Sequence, residues 1–435
     1  MRTVTNIYKI RMKLLYVKNQ NWSEQQTLLD PYITQCKKVI DLQDYTSAEA
    51  SLCLPSDKKI VSDVMAMVDK KKTSNLRYII VVGIGGSNLG SKAIYDALYG
   101  STDQFMPERY PKMIFLDTID AKTYKALFAF LMKNVIKEDE FLISIISKSG
   151  GTTESLVNAE ILLSDIKKSF SQWKKRCVII TDTNSKLWIE GKRLGIDILD
   201  IPKKVGGRYS IFSAVGLFPL AVAGVDIQSL MKGAETMRNN CTLHSNENIS
   251  RISAIFQYVY LQKGRTTHTS FYFHPELESL GKWYRQLTGE SVGKEKKGIT
   301  PLVSMGSVDH HSMVQLYFGG PPDKTTEIIY STKTEDYPIP KDSLFPSLST
   351  TEGKNTSEVM SAIQKGTVSA YKLQNEPYFE IVLDGINEYE LGSYMQYKMM
   401  EIMYLAHLMQ INAFDQPQVE LYKIETKKIL SKKDI

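Results

Sequence analysis

Cysteine is scarce in this sequence, and the spacing of the cysteines does not suit a disulfide framework or a metal site. Four cysteines occur in 435 residues, and no two of them form a Cys-x-x-Cys pair. This argues against a disulfide framework or a zinc site and is typical of proteins from a reducing compartment. We therefore expect a cytoplasmic protein without a metal site. The cysteines are Cys36, Cys53, Cys177 and Cys241.

Long apolar runs and a strong charge imbalance are also missing. The most apolar stretch, residues 211–225, is shorter than the about 20 residues that a bilayer requires, and Pro219 interrupts it. The net charge is +6, from 54 basic and 48 acidic residues, and no basic stripe interleaves with aromatic residues. We predict neither a membrane span nor a nucleic-acid interface, although a mild positive excess suits an anionic small molecule.

Short apolar runs rich in β-branched residues alternate with helical stretches from residue 76 onward. Runs of this kind indicate buried strands of a parallel sheet that is covered by helices on both faces. The predicted strands are 78–82, 113–116, 141–146 and 177–181, then 269–273, 326–330 and 378–383 after a helical region. The pattern predicts an α/β fold with two parallel-rich sheets.

These changes of pattern divide the chain into five predicted parts. They are an N-terminal helical segment (1–75), a first α/β domain (76–205), a helical connection (206–262), a second α/β domain (263–412) and a C-terminal helix (413–435). A methionine-rich stretch at 388–409 is typical of a core or subunit-interface helix rather than a cofactor site.

Two loops that follow predicted strands have the composition of anion sites. The first, Gly-Ile-Gly-Gly-Ser-Asn at 83–88, lets backbone amides approach an anion, but it also suits a purely structural tight turn. Asn88 breaks the dinucleotide fingerprint and Gly90-Ser91-Lys92 fails the ATP-type one, which disfavours nucleotides. The second, Ser-Lys-Ser-Gly-Gly-Thr-Thr at 147–153, predicts a phosphate cradle, with a simple helix cap as the alternative.

Further segments carry candidate acid, base and cationic groups. Gly206-Gly207-Arg208 suits a guanidinium brought close to an oxyanion, although it could equally be a surface turn. The pattern Glu-Ser-x-Gly-Lys occurs twice, starting at Glu278 and at Glu290. An adjacent pair, His310 and His311, stands out because the chain has six histidines, and Lys423 lies near the C-terminus.

Taken together, these segments resemble the glucose-6-phosphate isomerase family, in its shorter bacterial-type branch. The matching stretches run from Gly83 to Lys423 in the family's order. The resemblance implies two sugar-isomerase-type domains with an active site between them, and a homodimer in which a histidine from one subunit reaches the other's site. It also implies cofactor-free interconversion of glucose 6-phosphate and fructose 6-phosphate, through an enediolate, in glycolysis and gluconeogenesis.

The resemblance also implies roles for individual residues. Glu290 would move a proton between C1 and C2, Arg208 would stabilise the enediolate, and His311 and Lys423 would assist ring opening. Gln286 and Gln416 would line the site. The implied phosphate-binding residues are Gly86, Ser87, Ser147, Lys148, Ser149 and Thr152. Three positions depart from the family's usual pattern. Many members have threonine where this chain has Gly151, glutamine where it has His310, and glycine where it has Gln418.

Several alternatives stay open at this point. Glu290 is preferred as the base because Gly289 precedes it and because it lies nearer His311, but Glu278 shares its motif. A different sugar-phosphate isomerase on the same fold would keep the phosphate loop and change the sugar pocket. A non-enzymatic sugar-phosphate sensor would lose the acid–base groups, which are present here, and would need a DNA-reading segment, which the sequence lacks.

Overall fold

A computed structural model of the chain describes residues 12–15, 22–345, 347 and 349–431. The strands in these ranges are β1 (Lys13–Leu15), β2 (Tyr78–Val82), β3 (Lys112–Leu116), β4 (Phe141–Ile146), β5 (Cys177–Asp182), β6 (Asp197–Ile201), β7 (Thr267–Tyr272), β8 (Thr300–Met305), β9 (Lys324–Ser331) and β10 (Tyr378–Leu383). None of the described helices is long and apolar enough to cross a bilayer.

Helices fill the intervals between the strands. They are α1 (Ser23–Leu42), α2 (Lys58–Lys71), α3 (Leu89–Tyr99), α4 (Ala121–Asn134), α5 (Thr153–Ser169), α6 (Lys186–Leu194), α7 (Ala214–Val222), α8 (Ile227–Asn240), α9 (Ile249–Gln262), α10 (Glu278–Val292), α11 (Val314–Gly319), α12 (Thr356–Leu373), α13 (Glu388–Leu408) and α14 (Val419–Leu430).

The strands form two sheets of five. The first has the order β3-β2-β4-β5-β6 and is parallel throughout. The second has the order β1-β10-β9-β7-β8, and β1 is its one antiparallel member. The predicted α/β class, with two parallel-rich sheets flanked by helices, is confirmed. Strands β2–β6 lie within 76–205 and β7–β10 within 263–412, although the division into domains stays a prediction.

The largest hydrophobic core lies between the two sheets. Successive residues of β2 alternate between this central core, which contains Ile79 and Val81, and a second core on the outer face, which contains Ile80 and Val82. Such two-sided burial explains why the strand reads as a continuous apolar run. Helix α13 is buried along most of its length, and its methionines at 395, 399, 400 and 403 belong to the central core.

Helix α10 connects the two halves of the molecule. It packs against α3, which follows a strand of the first sheet, and against β8 of the second. Gly281 permits the close approach to β8, because a β-carbon there would lie 2.5 Å from a methyl group of Val303. The C-terminal half of α10 therefore lies where side chains from both halves can meet.

Strands β1, β6 and β8 were not predicted. All three lie at the edges of their sheets, where one side of the strand lacks a partner and the apolar run is shorter or interrupted. Asp200 is exposed within β6, and Pro301 stands in β8, as edge strands tolerate. The helical description of residues 1–75 misses β1, and residues 1–11, 16–21 and 432–435 of the predicted terminal segments lie outside the described residues.

Candidate active site

Three loops meet at the carboxyl edge of the first sheet. Strand β2 pairs with β4, so the glycine-rich loop 83–88 lies beside the loop 147–152. The chain after β6 reaches the same edge with residues 206–210, which contact the first loop. In parallel α/β sheets this edge is where ligands bind.

The first and third loops touch backbone to backbone. A β-carbon on Gly86 would lie 2.2 Å from the carbonyl carbon of Gly207, so neither loop could sit as it does with a larger residue at Gly86. In the second loop, Gly150 has a φ of +62°, a left-handed conformation that favours glycine. These glycines allow the three loops to come close together.

The second loop does not use its hydroxyl groups as a simple helix cap. Thr152 occupies the N-cap position of α5, yet its side chain makes no capping hydrogen bond to any described residue. Instead, the hydroxyl oxygens of Thr152 and Ser147 lie 3.1 Å apart, and Ser147 is buried. The Thr152 side chain therefore does not satisfy the first-turn N–H groups of α5, and an anion bound there would accept hydrogen bonds from them.

The neighbourhood of this loop is positively charged. Burial lowers the pKa of Lys148, the carboxylate of Asp182 opposes that effect, and the charges of Lys204 and Arg208 add to it. Lys204 and Arg208 thus both lie within electrostatic reach of Lys148, beside the hydroxyl groups. Such a cluster favours the binding of an anion, since an anion offsets the repulsion among the cations.

Arg208 is the most highly connected side chain of the site. Its side chain is 2% exposed, and the guanidinium donates five hydrogen bonds. The acceptors are Ser291 Oγ at 2.8 Å, Glu290 Oε2 at 3.1 Å, Gln416 Oε1 at 2.7 Å, and the carbonyl oxygens of Ala413 at 2.6 Å and Asp415 at 3.0 Å. Arg208 therefore joins the third loop, α10 and the segment before α14.

Both carboxylate oxygens of Glu290 are engaged. Oε2 accepts from Arg208, and Oε1 accepts from Gln286 Nε2 at 2.9 Å, one helical turn earlier on α10. Gln286 also approaches the first loop, because a β-carbon on Gly85 would lie 2.8 Å from its Nε2. The Glu290 side chain remains 30% exposed, so a ligand can reach it. The structure thus gathers Glu290, Arg208, Gln286 and Gln416 into one network.

Glu278 lies elsewhere on the same helix. It stands at the N-terminus of α10, twelve residues before Glu290, which corresponds to about 18 Å along the helix axis. Its carboxylate pairs with Lys282 at 2.8 Å, and the side chain is 52% exposed. The two copies of the motif therefore have different surroundings, and Glu290 is the copy beside Arg208.

The adjacent histidines have different surroundings. His310 Nε2 lies 2.6 Å from Thr367 Oγ1, and its ring packs on Phe271 and Phe273. Burial lowers the pKa of His310. The His311 side chain is exposed and makes no hydrogen bond within the described part of the chain. The structure does not bring His311 to the Glu290 network of this subunit.

Lys423 also lies outside the network. It stands on α14, where it pairs with Glu420 at 2.8 Å and remains 40% exposed. Helix α14 has no buried side chain. The structure therefore places Lys423 after the segment that Arg208 holds, without a contact between Lys423 and Glu290.

Comparison with known proteins assigns the chain to a family. The family described as phosphoglucose isomerase matches residues 48–434. The glucose-6-phosphate isomerase of Methanocaldococcus jannaschii is 34% identical over 400 residues, which cover 90% of this chain and 94% of that protein. The chain belongs to the phosphoglucose isomerase family. The glucose-6-phosphate isomerase of Leptospira biflexa is likewise 34% identical, over 83% of this chain and 81% of its own.

Solved structures agree with this assignment at the level of the fold. A hypothetical protein from Thermus thermophilus superposes with a TM-score of 0.85 at 27% identity, over 97% of this chain and all of the other. A glucose-6-phosphate isomerase from Chlamydia trachomatis superposes with a TM-score of 0.77 at 19% identity, over 97% of this chain and 88% of its own. The second likeness concerns the fold alone.

Four residues of this candidate site were not singled out from the sequence. Ser291 and Tyr209 each follow an assigned residue, and their hydroxyl oxygens lie 3.0 Å apart. Lys294 Nζ lies 2.7 Å from Asp415 Oδ1, between α10 and the segment before α14. Each missed residue lies next to an assigned residue or within the same short motif. That proximity was the available signal, since motif residues without a chemical role often hold the others in place.

Proposed function

We propose that this chain interconverts glucose 6-phosphate and fructose 6-phosphate, with Glu290 as the base that moves a proton between C1 and C2. The observation that carries the proposal is the pairing of Glu290 with Arg208 at 3.1 Å, in a chain of this family. The pair adjoins three loops at the edge of a parallel sheet, one of which is rich in hydroxyl groups. A reacting sugar and its phosphate thus have neighbouring, chemically distinct places to bind.

The carboxylate performs the proton transfer. Isomerisation removes a proton from C2 of the aldose and returns it to C1, through an enediolate, so one carboxylate can serve both steps. Gln286 and Arg208 hold the two oxygens of Glu290 and thereby fix its orientation toward one face of the site. Accurate orientation matters because a carboxylate must lie over the C1–C2 edge of the sugar.

Arg208 supplies the positive charge for the enediolate. All five N–H groups of its guanidinium already donate to acceptors of the protein, so a substrate oxygen must displace one of these acceptors. Gln416 is the candidate, because its side chain is exposed and shares Nη1 of Arg208 with Glu290. A developing negative charge would then lie against a buried, fixed cation, where electrostatic stabilisation is strongest.

The phosphate occupies the adjacent loops. Ser87, Ser149 and Thr152 offer hydroxyl groups, the Ser147 hydroxyl oxygen lies 3.1 Å from that of Thr152, and the start of α5 offers backbone N–H groups. Lys148 contributes charge. Binding the phosphate at a distance from the reacting carbons supplies energy that orients those carbons over Glu290.

A coupled assay tests this function. Purified protein receives fructose 6-phosphate in the presence of a chelator and without added metal, and a dehydrogenase reports the glucose 6-phosphate formed. A panel of other ketose and aldose phosphates runs in parallel. Robust turnover of fructose 6-phosphate supports the proposal. A folded protein that turns over a different sugar phosphate, or none, contradicts it.

We further propose that the enzyme is a homodimer whose sites are shared. His311 faces solvent, and the exposed apolar side chains Val308 and Leu316 flank it. Exposed apolar groups around a histidine of this family suit a surface that a second copy covers. His311 of one subunit would then open the sugar ring in the other subunit's site.

Four unpaired, buried cysteines support a cytoplasmic location.

Mixing two inactive variants tests the shared site. Glu290→Gln and His311→Ala are purified separately, mixed, dissociated and reassociated. If His311 acts across the interface, each heterodimer holds one intact site, and random mixing restores about a quarter of wild-type activity by subunit statistics alone. Reassociated wild type is the control for recovery. If His311 acts within its own subunit, both heterodimer sites are damaged and the mixture stays inactive.

A further inference from the structure

The connection between α13 and α14, residues 409–418, is held by side chains from the third loop and from the turn that follows α10. Four of its carbonyl groups, those of Met409, Asn412, Ala413 and Asp415, accept hydrogen bonds from cationic side chains. Arg208 provides the donors for Ala413 and Asp415. The path of this connection therefore depends on charged groups rather than on regular secondary structure.

Lys294 provides the donor for Asn412. It follows α10 by two residues, and its side chain is 7% exposed. Its ammonium group also pairs with Asp415 Oδ1 at 2.7 Å. Asp415 is thus held twice, through its carboxylate by Lys294 and through its carbonyl group by Arg208.

The turn that carries Lys294 faces the same connection. Lys294 and Lys297 exchange backbone hydrogen bonds, and the two residues between them have φ values of +53° and +58°. This is the backbone of a type I′ turn, which normally favours glycine or asparagine. Lys297 Nζ lies 3.5 Å from the carbonyl oxygen of Met409. The turn 294–297 therefore contacts the connection at its start, through Met409, and in its middle, through Asn412 and Asp415.

We propose that Lys294 is a positioning residue of the isomerase, which holds residues 412–415 so that Gln416 is placed beside Arg208 and Glu290 and α14 follows from a fixed point. The inference rests on the proposed function, because it gives Lys294 a purpose in that reaction. Gln416 shares a donor with Glu290, and Lys423 lies eight residues after Asp415. A shift of the connection would move both of them relative to the sugar.

A charged group is required for this task. The ammonium of Lys294 serves a carbonyl oxygen and a carboxylate at once, which an amide or a hydroxyl group cannot do with the same reach. Removing it leaves the Asn412 carbonyl group without its donor and the Asp415 carboxylate without its cation. The loosened connection would then displace Gln416, and a displacement of about 1 Å at a site can lower the rate about 10²-fold.

The first test compares two lysines of one turn. Lys294→Met should lower kcat for fructose 6-phosphate by roughly 10–100-fold while KM changes less than about threefold, since the phosphate loops do not contact Lys294. Lys296→Met is the matched control, because Lys296 is exposed and lies two residues further along the turn. It should retain wild-type kcat. A Lys294→Met kcat within threefold of wild type overturns the proposal.

The second test separates positioning from general stability. Asp415→Asn, a mild change at a half-exposed position, should lower kcat several-fold, and its combination with Lys294→Met should cost less than the product of the two single losses. Chymotrypsin should cleave the connection, which contains Phe414, faster in Lys294→Met than in Lys296→Met. Multiplicative losses with unchanged cleavage overturn the proposal. An inactive wild type would refute the proposed function, and the cleavage rates would still decide whether Lys294 holds the connection.

Discussion

We expect Glu290→Gln to lower kcat by about 10²–10⁴-fold, the contribution typical of a positioned general base, and Glu278→Gln to leave it near wild type. Glutamine has the shape of glutamate, but its amide cannot accept the proton that leaves C1 of fructose 6-phosphate. The two variants alter the same residue type, in the same motif, on the same helix. Their comparison therefore separates the glutamate that contacts Arg208 and Gln286 from the one that pairs with Lys282.

Binding measurements complete this prediction. Calorimetric titration with fructose 6-phosphate should give both variants an affinity within about tenfold of wild type, because neither substitution alters a residue of the phosphate loops. Four of the five hydrogen bonds of Arg208 do not involve Glu290, so the Glu290→Gln site should stay assembled. Loss of activity in Glu278→Gln alone would keep the function and assign the base to Glu278.

The second large effect concerns a charge cluster buried in the core beside the second sheet. We expect Lys398→Met to lower the free energy of unfolding at pH 7 by about 3–5 kcal/mol, the usual cost of leaving buried charges without their partner. Lys398 on α13 pairs with Glu327 and, at 3.0 Å, with Glu401, and the three side chains are 0% exposed. Tyr284 on α10 donates to Glu401 at 2.7 Å, which links the cluster to the helix of Glu290.

The pH dependence of this loss is the distinguishing measurement. Burial by itself would raise the pKa of Glu327, but the charges of Lys398 and His268 hold it below the ordinary value of 4.5. A lowered pKa in the folded state stabilises the protein above pH 4.5, and that stabilisation is lost as the pH falls. Without Lys398, burial favours the protonated acid. The stability gap between wild type and variant should therefore be widest at pH 7 and narrow as the pH falls through 4.5.

Urea-induced unfolding at several pH values measures this gap, with Lys282→Met as the control. Lys282 pairs with Glu278 on the surface, where an ion pair contributes about 0–1 kcal/mol, so its replacement should have little effect. A Lys398→Met variant as stable as wild type at pH 7 would contradict the prediction. A gap that widens on acidification would show that the cluster is not held by the Lys398 charge.

The interior strands were predictable because strands buried on both faces consist of consecutive apolar residues. Strands β2, β4 and β5 are covered on both faces, so each reads as an unbroken apolar run, and their predicted bounds agree with the structure to within one residue. Strands β1, β6 and β8 escaped prediction because edge strands need no such run. A three-residue strand such as β1 is recognisable by its pairing with β10, which is 365 residues away in the chain.

The sequence by itself determined the α/β class, the loops that carry hydroxyl and glycine residues, and the family to which the chain belongs, because each of these depends on residues close together in the chain. Which glutamate of the repeated motif meets Arg208, and which of two adjacent histidines faces solvent, was decided by tertiary structure alone. Glu278 and Glu290 have the same local pattern, and they differ because Arg208, 82 residues before Glu290, reaches one of them. His310 packs against Thr367 and His311 does not, for the same reason: the partners that define a side chain's environment come from distant parts of the chain.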